Sequence, residues 1–315
     1  MYIVNAVIQR SISTSQREVM ESVIPTIARL LRTEFIGMLQ RKMDDESYPQ
    51  SATQGSFPPE NKVISFIVLI NSLDIANEYL MRIISSLLGT STDTPKGAAS
   101  RNPSTLKDLF PFGNDLTFVR NALHSLSTSF TSGTTELRNK GIQVLFNQVV
   151  KPRLRPLLIG AFRNVDYTLS EEEMAKLAAQ DDEDEEGLDE VSRRFEHRWD
   201  ALVKPMERIM TPKTFATLLD ITATYLSRVL EKRVWSYAGR VTAYGAVRLE
   251  RDFGGIVRVV ARVDYTLREV FRRIMQILMA VNMDEEEWEE LRAEGGMVWM
   301  LSEEDKRRAR NLLRD

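Results

Sequence analysis

From Ala246 to Asn282 an apolar residue returns every three or four positions: Leu249, Phe253, Ile256, Val260, Val263, Leu267, Phe271, Ile274, Leu278 and Val281. No strand can use that spacing, because strict alternation places side chains on one face with a period of two. A mean step of about 3.5 residues suits a helix packed closely against other helices. The spacing predicts one long helix over 246–282, and with it a fold in which helices bury one another.

The rest of the chain repeats this pattern. Residues 2–43 read as helix, with a break near Ser11–Ser15 and a kink at Pro25; the stripe includes Val19, Val23, Ile27, Leu30, Leu31, Phe35 and Leu39. Residues 44–60 form a polar linker ending at Pro58-Pro59. Residues 61–88 carry a wide apolar face, which implies burial by more than one neighbour, and Gly89 terminates the helix. Residues 90–114 are rich in Ser, Thr, Pro and Gly and read as a loop. Within it, Phe110-Pro-Phe-Gly113 is either a docking element or a loop with a local apolar contact. A helix follows over 116–164, bent at Pro152 and Pro156. Ser170-Glu-Glu-Glu173 is a capping-box pattern. The acidic run 180–190 reads as solvated and outside the packed core. Further helices are expected over 189–209, from Thr211-Pro212 to 240, and near 284–292 and 302–314. Helices of 25–45 residues exceed the usual length of about 11–12. The fold class is therefore all-α, an elongated helical-bundle rod, divided into a rod domain over 1–220 and a small bundle over 221–315.

Several chemistries are excluded by what 315 residues with no cysteine and only two histidines can assemble. Thiolate catalysis, disulfides and thiolate zinc sites are ruled out. His124 lies among Leu123, Leu126 and Phe130, and His197 lies on a charged helix face; both read as structural or half-exposed. Neither Gly254-Gly255 nor Gly295-Gly296 is followed by the residues of a phosphate loop. A calcium loop opened at Asp182 would need a bidentate acid where Arg193 stands. No stretch reaches the ~18–20 consecutive apolar residues of a bilayer span, and the N-terminus lacks the basic leader of a signal peptide. No catalytic residue, cofactor or metal is expected, and the chain reads as no enzyme.

Between Arg228 and Arg273 there are 11 Arg or Lys residues against five acids. Three readings are open: a solvated basic face, a surface for an acidic protein or anionic lipid, and a nucleic-acid surface, for which no stacking motif is present. Arg273 differs from the others because it borders the apolar stripe, where its head can reach a neighbouring helix.

These blocks carry a resemblance. Arg248-Leu-Glu-Arg-Asp-Phe-Gly-Gly-Ile256, Thr266-Leu-Arg-Glu-Val-Phe-Arg-Arg273, Asn282 with its acidic helix, and Trp299-Met-Leu-Ser-Glu-Glu-Asp305 resemble stretches of subunit 4 of the conserved oligomeric Golgi complex. Upstream, Lys151-Pro-Arg-Leu-Arg-Pro156 and Asn71-Ser-Leu-Asp-Ile-Ala-Asn-Glu78 resemble the same family, in the same order. The resemblance spans about 61–315 and implies the C-terminal half of a longer chain whose coiled-coil region lies elsewhere. It implies a component of a vesicle-tethering complex in intra-Golgi retrograde transport and glycosylation homeostasis, acting by protein–protein interaction on the cytosolic face of Golgi membranes. It also implies the other subunits as partners, SNARE machinery through parts outside this chain, only peripheral membrane association and no nucleic acid. The alternative is a generic helical adaptor that binds an acidic protein or anionic membrane through its Arg-rich face. Within the matched blocks the expected interaction residues are Arg268, Phe271, Arg273, Trp299, Ser302 and Asp305. Arg273 and Asp305 fall where the family places a charge pair that organises the terminal domain, while Ser302 to Asp305 is itself a capping-box spacing.

Overall fold

The structure is a computed structural model; it describes residues 1–46, 58–88, 106–173, 175–176, 190–284, 286–288, 290 and 298–314. The acidic run up to residue 189, most of the 44–60 linker and most of the 90–114 loop lie outside the described residues. Among the described residues the architecture is an all-α helical bundle, and the only β-type pairing there is an isolated bridge between Val241 and Leu313. The chain forms two compact units: Met1–Gln148 with Ile209–Thr217, and Val149–Arg208 with Leu218–Asp315.

In the first unit, α1 (Tyr2–Ser13) and α2 (Arg17–Leu30) are separated at the expected break, where Ser15 adopts a left-handed backbone. A π-helical turn, Leu31–Ile36, joins α2 to α3 (Gly37–Glu46). Then come α4 (Glu60–Leu88), the short α5 (Leu106–Leu109) and α6 (Gly113–Leu145). Ile8, Met20 and Ile24 share one apolar cluster with Leu80, Ile84, Leu123 and Phe130. Phe110 is buried in this cluster, at 2% exposure, while Phe112 remains 73% exposed, so only the first aromatic of the pair serves the core.

By length and composition α4 is able to cross a bilayer, which revises the sequence reading. Its polar residues show a different commitment. Asp74 Oδ1 accepts from the buried Arg138 of α6 at 3.1 Å, and Asp74 Oδ2 accepts from Thr211 Oγ1 at 2.8 Å. Asn71 donates to the Ile209 carbonyl at 2.6 Å and accepts from the Thr211 amide at 3.0 Å. One face of α4, with Phe66, Ile67, Ile70, Leu73, Leu80 and Ile84, is buried, and its mid-helix carboxylate is satisfied by protein donors, while Val68, Ile75, Tyr79 and Met81 stay exposed.

A π-helical turn over Phe146–Val150 takes in the last residues of the first unit and the first of the second, and α7 (Lys151–Ala161) follows it in the second unit. The helix expected over 116–164 is a helical path from Gly113 to Ala161 whose hydrogen-bond pattern changes to a π-turn just before Pro152, a residue with no amide to donate. Next come α8 (Glu190–Ile209) and α9 (Pro212–Trp235), whose residues from Leu218 belong to this unit. They are followed by α10 (Ala243–Val260), a 3-10 turn (Tyr265–Phe271), α11 (Arg272–Asn282) and α12 (Glu303–Arg310).

The single helix expected over 246–282 is corrected by this order. Asp264 stops it: its side chain accepts from the Thr266 amide at 2.9 Å and from the Thr266 hydroxyl at 2.7 Å. That local bonding competes with continued helix and starts the 3-10 turn. Val263, counted in the stripe, is left exposed, and α11 folds back against α10. The compact units also differ from the expected 1–220 and 221–315 domains. Residues 149–208 pack with the C-terminal helices: Phe162 lies 5.1 Å from Phe253, and a Cβ on Gly255 of α10 would collide with Ser192 of α8.

Candidate functional site

Two of the blocks singled out in the sequence, Thr266–Arg273 and Trp299–Asp305, meet at one side chain. Leu267 and Phe271 are buried and seat the 3-10 turn on the core. Two residues beyond Phe271, Arg273 emerges with its side chain 32% exposed. Its Nη1 donates to Asp305 Oδ2 at 3.1 Å and its Nη2 to Asp305 Oδ1 at 3.0 Å. Nη1 also donates to the Met300 carbonyl at 3.2 Å, and Nε donates to Glu231 Oε1 at 3.1 Å. The planar guanidinium therefore ties α11 to α12, to the segment before α12, and to the last turn of α9, which a lysine point charge cannot do in that geometry.

Asp305 has a second task. Its Oδ2 accepts from the Ser302 amide at 3.1 Å and from Ser302 Oγ at 2.9 Å, while its own amide donates to Ser302 Oγ at 3.1 Å. The carboxylate closes the capping box of α12 and receives Arg273 at once. Hydrogen bonding from Arg273, reinforced by Ser302, holds the Asp305 carboxyl down at about 2, against an ordinary value of 3.8. Arg273 is raised in turn, chiefly by its bond to Asp305.

The clasp has supports that sequence reasoning missed. Gln276, one turn after Arg273 and almost fully buried, donates to the Val298 carbonyl and accepts from the Met300 amide, both at 2.8 Å. Trp299, held between them, packs on Trp288 with ring centroids 4.2 Å apart. Glu231 Oε1 accepts from Trp235 Nε1 at 3.2 Å as well as from Arg273. Only its polar character inside an apolar stripe marked Gln276 in the sequence. Arg268 does not join the clasp; its guanidinium lies 4.3 Å above the exposed Tyr265 ring.

A second polar centre in the same unit was also missed. Asp252 of α10 is 1% exposed, and its Oδ2 accepts from the buried Tyr167 hydroxyl at 2.9 Å. The Arg248 Nε lies 3.8 Å away. Burial pushes the Asp252 carboxyl up to about 6, partly opposed by the Tyr167 bond and by Arg248; burial also raises the Tyr167 hydroxyl. The backbone of Tyr167 is pinned too: its carbonyl accepts from the Thr242 amide at 3.0 Å, and a Cβ on Gly245 would collide with that carbonyl. Only glycine fits there at the start of α10.

Both centres hold chain to chain rather than presenting reactive groups. The carboxylates face internal donors, and both histidines lie exposed on helix surfaces. Among the described residues no three metal-ligating side chains converge. The fold and its polar clasps define a class, an all-α helical bundle.

The family is shown by the sequence itself. Residues 66–308 match the family model described as conserved oligomeric Golgi complex subunit 4, C-terminal, and the chain belongs to that family. Residues 1–43 match the model described as COG4 transport protein, middle alpha-helical bundle. Among relatives, conserved oligomeric Golgi complex subunit 4 of Saccharomyces cerevisiae is 23% identical over 266 residues, covering 78% of this chain and 30% of that protein. The Arabidopsis thaliana protein of that name is 23% identical over 317 residues, 99% of this chain and 39% of the relative. The Schizosaccharomyces pombe protein is 23% identical over 289 residues, 89% and 35%. The chain thus spans about a third of the length of the curated relatives it matches.

Proposed function

We propose that this chain is a scaffolding part of a Golgi vesicle-tethering complex, working by protein–protein interaction in intra-Golgi retrograde transport and in Golgi glycosylation homeostasis. It acts at the cytosolic face of Golgi membranes, without catalysis, with other subunits of the complex as its direct partners. The observation that carries this reading is the match to the subunit 4 family over 66–308, which takes in every member of the Arg273 clasp. The clasp, with Phe271, Trp299 and Ser302 around it, keeps α9, α11 and α12 in the arrangement that partners meet. SNARE machinery is engaged through other parts of the full-length protein.

The test is affinity purification of the tagged chain from cells of its source, with the bound proteins identified. Stoichiometric recovery of other tethering subunits is expected. Recovery of the chain alone, from cells where those subunits are abundant, overturns the reading.

A further inference from the structure

The geometry points to a membrane-docking corner on the second unit, built by the end of α9 and the last turn of α12, that takes the phosphate headgroups of an anionic lipid surface. This inference rests on the proposed function, because it says which face of the scaffold meets the membrane.

Trp235, half-buried in the last turn of α9, is the centre of the corner. Lys232 and Arg228 lie three and seven residues before it, hence on the same helix face one and two turns back, and both are exposed. From α12 the exposed Arg308 lays its guanidinium 4.3 Å above the Trp235 ring. The turn after α9 brings Arg240, whose guanidinium bonds the Ser236 carbonyl. The two parts are joined by backbone: the Gly239 amide donates to the Asn311 carbonyl at 3.0 Å, the Val241 amide to Leu312 at 3.2 Å, and the Arg314 amide to Val241 at 2.7 Å. The cations are therefore displayed from a fixed frame.

Their counter-charges are missing. Among the described residues Arg228, Lys232, Arg240 and Arg308 make no ion pair, unlike Arg262, which is held by Glu196 and Asp200 elsewhere in the unit. Two acids lie nearest along these elements. Glu231 is already shared by Arg273 and Trp235, and Glu304 stands one turn before Arg308. Four cations without carboxylate partners make a positive corner that an anion from outside the chain can match, and phosphate is the anion whose geometry suits Arg. A membrane fits better than an acidic peptide because the aromatic among the cations, Trp235, is of the residue type enriched at bilayer interfaces.

The experiment is co-sedimentation of the purified chain with vesicles of phosphatidylcholine alone and of phosphatidylcholine with phosphatidylserine, at low and high salt. Binding is expected only to the anionic vesicles and is expected to weaken with salt. A triple variant, Arg228→Glu, Lys232→Glu and Arg308→Glu, should lower partitioning at least ~tenfold. Because Arg308 touches Trp235, the double variant Arg228→Glu with Lys232→Glu, both exposed and unpaired, is measured beside it and should fall in the same direction with its helicity unchanged. Two results overturn the inference: no binding by the wild-type chain, or unchanged binding by both variants. The readout uses the purified chain and vesicles, so it can fail while recovery of tethering subunits succeeds, and the reverse.

Discussion

Asp305 and Asp252 sit in the same compact unit, each bonded through both its environment and one dominant partner, and their acidities move in opposite directions. Asp305, with a side chain 21% exposed, faces a guanidinium and two Ser302 donors and is held at about 2. Asp252 is almost fully buried, faces a phenol, has its nearest cation 3.8 Å away, and is raised to about 6. A charged donor lowers a carboxyl when water still shares the solvation; a neutral donor in a dry site does not offset burial. The first aspartate is therefore a clasp that strengthens on ionising. The second is a latch whose burial costs least when the carboxyl is protonated.

The sharpest way to break this contrast is to open the latch sterically. Gly245→Ala removes a helical glycine, a change worth up to ~1 kcal/mol of gain on an exposed helix. Here it is expected to destabilise by ~3 kcal/mol, because the new methyl meets the Tyr167 carbonyl and displaces the segment that satisfies Asp252. Urea denaturation followed by far-UV circular dichroism measures it; a neutral or stabilising result removes the close approach from the account.

The next largest effect is in pH. Asp252 has a folded value above its unfolded one, so the folded state binds the extra proton between about pH 4 and pH 6. Its contribution is fully favourable below pH 4 and is lost as pH rises through 6. Asp252→Asn keeps an acceptor for Tyr167 and does not titrate. Relative to wild type, the variant should gain up to ~3 kcal/mol between pH 4 and pH 7, an upper bound for a carboxyl raised from 3.8 to about 6. A wild-type-minus-variant difference that stays flat over that window shows that Asp252 titrates like an exposed acid.

Asp305 has the opposite sign. Its folded value is depressed, so its stabilisation is present above about pH 4 and lost as pH falls towards 2. Because Arg273 and Asp305 are partly solvated, the pair should couple by ~1–2 kcal/mol, less than a fully buried pair. The double-mutant cycle of Arg273→Ala and Asp305→Ala at pH 7 reads this, with coupling under ~0.5 kcal/mol showing independent residues. Arg273→Ala alone should cost more than Asp305→Ala, since it also releases Glu231 and the Met300 carbonyl. The smallest change, Ser302→Ala, should cost ~1 kcal/mol by removing the cap. It should leave most of the Arg273 coupling intact, which separates the cap from the clasp.

The two aspartates also differ in how far the sequence exposed them. Asp305 was legible: it stands three residues after Ser302, a capping spacing, and it falls in a block that resembles a known family. Asp252 was visible only as one of five acids among eleven cations, because its partner Tyr167 is 85 residues away in sequence and local spacing says nothing about it. Gln276 and Glu231 were hidden for the same reason. The helix break at 261–264 was hidden differently: the apolar period runs straight through it, and Asp264 bonding Thr266 outweighs a pattern to which Val263 contributes without being buried.

Helix content, the caps at Ser302 and Thr242, and the stripes that must be covered were set by the sequence alone, because they depend on interactions within about four residues. Tertiary structure decided which polar groups lose water and to whom they bond. The folding back of α11 on α10 put Arg273 beside Asp305 and Glu231, and the closure of the 162–170 segment on α10 sealed Asp252. Desolvation is a property of all the surrounding chain together, so the same residue type becomes a clasp in one place and a latch in another.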